Sequence, residues 1–428
     1  MRSIRNKWIV MGSALACFGL AVLSLVLTFW ESPETKELQR VQEIHEIRGL
    51  LSQQLGPKLL HNEWQSPLEL DWFGDSKKVD VTYTIDPELQ AEAEKLLRIH
   101  KPDYGAIVVM DAVTGRVKAL ASINRREENS ANLAFRGTFP AASIFKIVTA
   151  GAAVDKHGLG PNSIVMFNGS NHTLYRKNVM SNNKNRWTRE MTLREAFARS
   201  VNTFFGRLTF EKLSPSDIQE YAIRFGFNKH IQSDLPFDPG FTNIPHEESF
   251  ELAEIVSGYN RVTTMSPIQG AMIAAAVAED GVMKVPYIVD QIRDEDGKII
   301  FQAEPVTAAV ALSPEGADRL KVLMEATITS GTSRRSFKPL MRDRRFKELE
   351  VGGKTGSLTG TNPRGKTDWF VGYAIGEKDK LAVAAITVNV DYWTVKSSHL
   401  AQSMFKKHFK EEYVETARRM SESSEGSN

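Results

Sequence analysis

The sequence predicts an α+β fold in which strands near both ends of a folded body bracket a mainly helical middle, so that one sheet joins the N- and C-terminal portions. Three observations predict it. An alternating segment puts Val79, Val81, Tyr83 and Ile85 on one face, and a β-hairpin follows: Ala106–Met110, a Thr114-Gly115 turn, then Val117–Ala121. From about 143 to 335 the pattern is mainly helical, with Ser214-Pro215-Ser216-Asp217 and Ser266-Pro267 as helix starts. Strands return at Leu349–Gly353, Trp369–Ile375 and Leu381–Val390.

The remaining elements follow in chain order. The 23 residues from Trp8 to Trp30 carry no charge, enough for a membrane helix, which needs about 20. Arg2, Arg5 and Lys7 precede them and Glu31 and Glu34 follow, so the N-terminus is expected inside and the rest outside. Ala14-Leu15-Ala16 before Cys17 leaves signal-peptidase processing or lipid attachment as alternatives, although the apolar run continues past that point to Trp30. Residues 34 to 56 place Leu38, Val41, Ile44, Ile47, Leu51 and Leu55 on one helical face, a juxtamembrane stalk. Residues 57 to 78 read as a connector ending at Gly74-Asp75-Ser76-Lys77-Lys78.

Asp86-Pro87-Glu88 supplies the N-cap and first-turn proline of a helix to about His100. A closing helix runs from Ser397 to about Arg419; its apolar face of Leu400, Met404, Phe405, Phe409 and Tyr413 suits packing on the sheet, or contact with a membrane surface. Trp369, Phe370 and Tyr373 read as strand core. The expected organisation is therefore a cytoplasmic 1–7, an anchor at 8–30, helix and connector at 31–78, a catalytic body at 79–419 and a polar, disordered tail at 420–428.

Composition narrows the chemistry. The 428 residues carry 54 Lys plus Arg against 52 Asp plus Glu, a net of +2 that argues against nucleic acid as a partner. One cysteine rules out an intramolecular disulfide and a CxxC redox pair, and the nine histidines contain no HExxH, so neither metal nor cofactor is expected.

Ser143-Ile144-Phe145-Lys146 follows Pro140-Ala141-Ala142 and leads into the apolar stretch IVTAGAAV. In a helix beginning near Ser143, Lys146 lies one turn along on the same face, where a neutral amine can act as base to the serine hydroxyl. SxxK recurs at Ser181 to Lys184, in a polar loop, and at Ser403 to Lys406, on the closing helix; only Ser143 opens an apolar helix. Lys354-Thr355-Gly356-Ser357 is the single KTG. Glycines 352, 353 and 356 strip side chains from a strand, as expected where another backbone approaches closely, with Thr355 and Ser357 on one face to bind a peptide carboxylate. A phosphate loop is excluded because its first glycine would fall at Glu348.

Ser143-Ile-Phe-Lys146, Ser200-Val-Asn202 and Lys354-Thr-Gly356, in that order, resemble the three motifs of penicillin-binding proteins and serine β-lactamases. SxN also occurs at 122, 130 and 181, but only 181 and 200 lie between the other motifs, and only Ser200-Val201-Asn202 joins two apolar-periodic segments. The resemblance covers about 79 to 410, including TIDPELQ, VVMDAVTGRVKALAS, TMSPIQGAMIAAAVAEDG, TSGT at 329 to 332 and DWFVGYA at 368 to 374. It implies a transpeptidase domain with an antiparallel sheet, helices on both sides and a helical subdomain.

It also implies that Ser143 attacks the D-Ala-D-Ala carbonyl of a peptidoglycan stem peptide with Lys146 as base. Ser200 would relay a proton to the leaving amine, Asn202 would hold substrate and Lys146, and Lys354 would supply positive charge. Thr355, Gly356 and Ser357 would bind substrate, with the Ser143 and Ser357 N–H groups as oxyanion hole. β-Lactams would acylate the same serine. Residues 31 to 78 are too few for a glycan-polymerising domain, so the resemblance is to monofunctional, class B-like transpeptidases of the bacterial cytoplasmic membrane. The large pedestal of that class is reduced here, which puts in doubt its usual partnership with a SEDS-family glycan polymerase. A D,D-carboxypeptidase or endopeptidase with the same residues, a class D-like β-lactamase, and a non-catalytic β-lactam-binding relative stay open.

Overall fold

The computed structural model describes residues 33–181 and 183–425. The expected anchor at 8–30, with its alternatives at Ala16 and Cys17, lies outside the described residues, as do the last three residues of the tail. Among the described residues no helix is long and apolar enough to cross a membrane. The chain divides into two compact units, residues 1–48 and 49–428. Helix α1 is Pro33–Leu59. Beyond Gly49 it buries Leu51, Leu55 and Leu59 at four-residue spacing.

Where a connector was expected, the second unit carries a hairpin of Leu68–Trp72 and Asp75–Tyr83, turned through Gly74 at φ 95°. Leu68, Leu70, Val79 and Val81 are its buried residues. The charged run Asp75-Ser76-Lys77-Lys78 hides the first half of the second strand, because those residues are only its wet end. That strand does not join the main sheet. It pairs with Val289–Asp294, which pairs in turn with Ile299–Gln302.

Helix α2, Pro87–His100, starts where the Asp86 carboxylate accepts from the N–H groups of Glu88 and Leu89. The expected hairpin follows as β1, Tyr104–Asp111, and β2, Val117–Asn124. The middle of the chain supplies helices α3, Pro267–Ala278, α4, Pro314–Thr329, and α5, Arg334–Arg342. It also contains short strands, among them Ile164–Asn168 with Thr188–Thr192, and Val282–Lys284 with Thr307–Val310. Runs this short carry too few residues for a period to register against the helical background.

The C-terminal portion adds β3, Glu350–Thr361, β4, Arg364–Ile375, and β5, Lys380–Asn389, before the closing helix α6, Ser397–Glu425. All pairs are antiparallel, in the order β3-β4-β5-β1-β2, so the sheet does join the two ends of the body. β3 extends well past Gly353 because its second half, Ser357 to Thr361, is an edge segment with little apolar side chain to show in the sequence.

Both faces of this sheet are covered, which is why β1 and β5 read as nearly unbroken apolar runs. On one side α3 packs across β4, β5 and β1, and each of its twelve residues is buried. On the other, Ile107, Val109, Phe370, Val383 and Ala385 share a core with Leu89, Ala93 and Leu97 of α2, Phe337 and Leu340 of α5, and Leu400, Met404, Phe405 and Phe409 of α6. The apolar face of the closing helix is therefore core through Phe409, whereas Tyr413, expected on the same face, is exposed; Trp369 is fully buried.

Candidate active site

Ser143 sits in a 3-10 turn, Ala142–Phe145, that runs directly into the helix Lys146–Gly151. At about three residues per turn, positions i and i+3 eclipse, so the tighter turn aims Lys146 along Ser143 more directly than an α-turn would. Lys146 Nζ lies 2.9 Å from Ser143 Oγ. It donates to Asn202 Oδ1 at 2.7 Å and to the Ser257 carbonyl. The side chain is fully buried.

The turn is held by close packing from outside. Ala142 is at φ +48°, and Gly258, at φ +64°, presses on it so closely that a Cβ at 258 would lie 1.9 Å from the Ala142 carbonyl oxygen. The fully buried indole of Trp369 donates to the Pro140 carbonyl at 2.9 Å and meets Phe139 edge to face. Strand β4 thus fixes the approach to Ser143 from the sheet side.

Ser200 and Asn202 lie at the junction of two short helices, Leu193–Ala198 and Asn202–Leu208. The first begins with a Thr192–Glu195 capping box. Ser200 is at φ +55°, a left-handed conformation that costs a serine about 1 kcal/mol or more and reverses the chain into the cleft. Asn202 is pinned at both ends: its N–H donates to the Asn171 carbonyl at 2.7 Å and its Nδ2 to the His172 carbonyl at 3.1 Å. Its Oδ1 is thereby turned toward Lys146.

Lys354 comes from the middle of β3. It is fully buried and donates to Ser200 Oγ and to the Thr355 carbonyl, each at 3.0 Å. Thr355, on the opposite face of the strand, hydrogen-bonds to Thr332 at 2.6 Å between hydroxyls, and Thr332 N–H donates to the Ala198 carbonyl at 3.0 Å. Gly356 lets β3 pass the turn that carries Ser143: a Cβ there would be 3.2 Å from Ile144 and 3.3 Å from the Ala141 carbonyl oxygen. Ser357, next along, is exposed.

The other two glycines have a different cause from the one expected. A Cβ at Gly352 would strike the Tyr373 ring at 2.5 Å, and one at Gly353 the Phe370 ring at 2.3 Å. They make room for aromatic side chains of β4, inside the protein, and not for an incoming backbone.

Burial is the main electrostatic fact. Desolvation, together with the nearby Lys354 charge, pushes the Lys146 amine well below its ordinary value. Desolvation alone brings Lys354 from 10.5 to about 7. Among the described residues neither amine has a carboxylate partner; each instead lies near an aromatic face, Lys146 at 5.6 Å from Phe205 and Lys354 at 5.5 Å from Phe197. A neutral lysine amine has two N–H donors and one lone pair. The Asn202 and Ser257 oxygens take the donors, which leaves the lone pair to accept from the Ser143 hydroxyl.

Ser143, Lys146 and Asn202 thus form one hydrogen-bonded group and Ser200 and Lys354 a second, near enough that the Lys354 charge acts on Lys146. The other SxxK stretches stay local: the Ser181 hydroxyl accepts from Asn183 N–H, and that of Ser403 donates to the His399 carbonyl. Sequence reasoning missed Ser257, Gly258 and the His172 carbonyl. Two of these act through backbone oxygens, which leave no side-chain signature. Among the described residues no group of three or more His, Cys, Asp or Glu could hold a metal.

Residues 105–410 match the family described as the penicillin-binding protein transpeptidase domain. The peptidoglycan D,D-transpeptidase PbpA of Mycolicibacterium smegmatis is 24% identical over 348 residues, covering 73% of this chain and 68% of that protein. Among solved structures, the D,D-transpeptidase domain of a peptidoglycan glycosyltransferase from Eggerthella lenta aligns with a TM-score of 0.65 at 25% identity, over 78% of this chain and 84% of that one. The ceftriaxone acyl-enzyme of penicillin-binding protein A from M. tuberculosis has the same fold, with a TM-score of 0.65 at 21% identity over 79% and 82% of the two chains.

Proposed function

We propose that this chain, which belongs to the penicillin-binding protein transpeptidase domain family, is a peptidoglycan D,D-transpeptidase working through a covalent serine acyl-enzyme. The observation that carries the reading is the buried, counter-ion-free Lys146, whose two carbonyl partners leave its lone pair for the Ser143 hydroxyl.

In this reading Ser143 Oγ attacks the carbonyl of the penultimate D-Ala while Lys146 Nζ takes the hydroxyl proton. The tetrahedral adduct collapses as the bond to the terminal D-Ala breaks. Ser200, bonded to Lys354, passes a proton to the departing amine, and the Lys354 charge holds the terminal carboxylate near Thr355 and Ser357. Asn202 keeps Lys146 in place. The amine of a second stem peptide then attacks the ester, giving the cross-link and restoring Ser143. A β-lactam opens on the same serine and leaves an ester with no departing group. The reading includes anchorage through residues 8–30 with the body on the outer side of the bacterial membrane, which the family relation and the uncharged run support.

The test labels membranes with a fluorescent penicillin, wild type beside Ser143→Ala, and then gives the wild type a D-Ala-D-Ala donor with an amine acceptor. A stable band lost in the variant, with dimeric peptide formed, is expected. Free D-Ala without dimer would mean that water is the acceptor, a rapidly fading band would mean a β-lactamase, and a band that survives Ser143→Ala would overturn the assignment.

A further inference from the structure

Several cations on this surface have an acid beside them. Arg116 pairs with Asp290, Arg126 with Asp103 and Asp391, Lys156 with Asp217 and Glu220, Lys321 with Asp280 and Asp318, and Lys380 with Glu279. The stretch from Arg334 to Glu348 has too few acids to pair its cations in this way. It holds seven Lys or Arg against Asp343 and Glu348, within a chain whose net charge is only +2. Asp343 is engaged twice by Arg345, and Glu348 pairs with Lys347. Arg334, Arg335, Lys338, Arg342 and Arg344 are exposed and have no ion-pair partner among the described residues.

Helical geometry sorts these charges onto one side. Ser333, Phe337 and Leu340 are buried, and Phe337 lies 5.1 Å from the Phe370 ring and 6.3 Å from that of Phe405. At about 100° per residue, Arg335, Lys338 and Arg342 project directly opposite that buried stripe, with Arg334 on its shoulder. The helix is held by its apolar face, so the basic face contributes little to the fold and concentrates positive potential over the surface.

The row of charges follows in the chain directly after a residue bonded to the cleft strand. Thr332, whose hydroxyl meets that of Thr355, is two residues before Arg334. From Arg334 to Arg342 the helix rises about 12 Å, roughly the length of three to four residues of extended peptide. An anionic ligand threaded past Thr355 would meet one cation per turn. Continuity with the cleft favours a ligand already engaged there over a lipid surface or a separate acidic protein.

We propose that the exposed face of α5 is a docking track for the side-chain and backbone carboxylates of an acidic stem peptide, holding the peptidoglycan strand whose end reacts at Ser143. This rests on the transpeptidase reading and names the substrate feature that the site selects: acidic rather than amidated stem peptides.

The test is the triple variant Arg335→Glu, Lys338→Glu, Arg342→Glu in the full-length protein, with fluorescent-penicillin acylation as the control for an intact fold and cleft. With an acidic donor peptide, KM is expected to rise on the order of tenfold while kcat and penicillin acylation stay within about twofold of wild type. The difference should shrink at high salt and vanish with the amidated form of the same peptide. An unchanged KM for the acidic peptide would overturn the track, and so would an equal rise for acidic and amidated peptides. Loss of binding to phosphatidylglycerol vesicles with unaltered peptide kinetics would reassign the face to a membrane surface. Failure of the wild type to acylate would instead strike the transpeptidase reading, and the track with it.

Discussion

Two sets of buried or half-buried charges in this molecule are built on opposite rules. Around Asp217, near the start of the helix Pro215–Arg224, every charge meets a counter-charge or a matched hydrogen bond. Lys156 reaches Asp217 at 2.9 Å and Glu220 at 2.6 Å, His157 reaches Asp217 at 2.9 Å, and Arg224 pairs with Glu220 at 2.6 Å. Burial pushes the Asp217 carboxyl up, but its bonds to Lys156, Ser214 and His157 outweigh that and hold it far below the usual range. In the cleft, Lys146 and Lys354 are buried more deeply and have only neutral partners. The first set spends its charges on holding elements together; the second keeps amines close to neutrality, the state in which they can accept and return protons.

The sharpest way to break the contrast is to give the cleft the counter-ion that the Asp217 cluster has. Asn202→Asp puts a carboxylate 2.7 Å from Lys146 and favours its charged form. We expect penicillin acylation at neutral pH to fall about a hundredfold, with partial recovery as pH rises. A variant that keeps the wild-type rate and pH profile would show that the protonation state of Lys146 does not limit the reaction.

A smaller effect comes from pH itself. Lys354 falls from 10.5 to about 7, so its charge is lost above about pH 7, and the acylation rate should decline there by up to tenfold per unit. Lys354→Arg keeps the charge and should move that limb upward, whatever it does to the maximum. Between about pH 7 and 10.5 the unfolded chain binds a proton at this position that the folded one does not. The Lys354 contribution to stability therefore rises with pH across the interval in which activity falls. Rate and chemical-denaturation profiles measured on the same preparation would check both signs.

The smallest effect on activity should come from the other region. Asp217→Asn is expected to cost about 1–2 kcal/mol of stability and to leave acylation unchanged. Because the folded-state carboxyl is held low, its contribution is present above the unfolded-state value and is lost as the solution is acidified. The difference between variant and wild type should thus narrow in acid, which a series of melting curves would reveal.

The same contrast explains what the sequence made legible. Ser143, Lys146, Ser200, Asn202 and Lys354 would act through side chains at fixed spacings, and all five could be named as candidates before any geometry was known. The Ser257 and His172 carbonyls that orient Lys146 and Asn202 could not, since any residue type supplies a carbonyl. Glycines 352 and 353 were noticed but misassigned: a missing side chain says that something approaches, not whether it is a ligand or the Tyr373 and Phe370 rings. The hairpin's first strand, Leu68–Trp72, and the charged half of its second were hidden, whereas β1 and β5 stood out because both faces of each are apolar.

The close packing of Gly258 on Ala142 bears on how such a protein could change under drug pressure. Any side chain at 258 would collide with the Ala142 carbonyl at the start of the Ser143 turn, and φ +64° disfavours the replacement as well. Substitution there cannot tune the reactivity of Ser143 by degrees; it displaces the turn. Graded loss of β-lactam susceptibility would have to be drawn from neighbours free to vary, such as exposed Tyr259 and Val262, or Arg261, whose guanidinium ties this loop to the Thr359 carbonyl at 2.8 Å. Changes at these exposed neighbours can reshape the surface beside the Ser143 turn while leaving the serine in register.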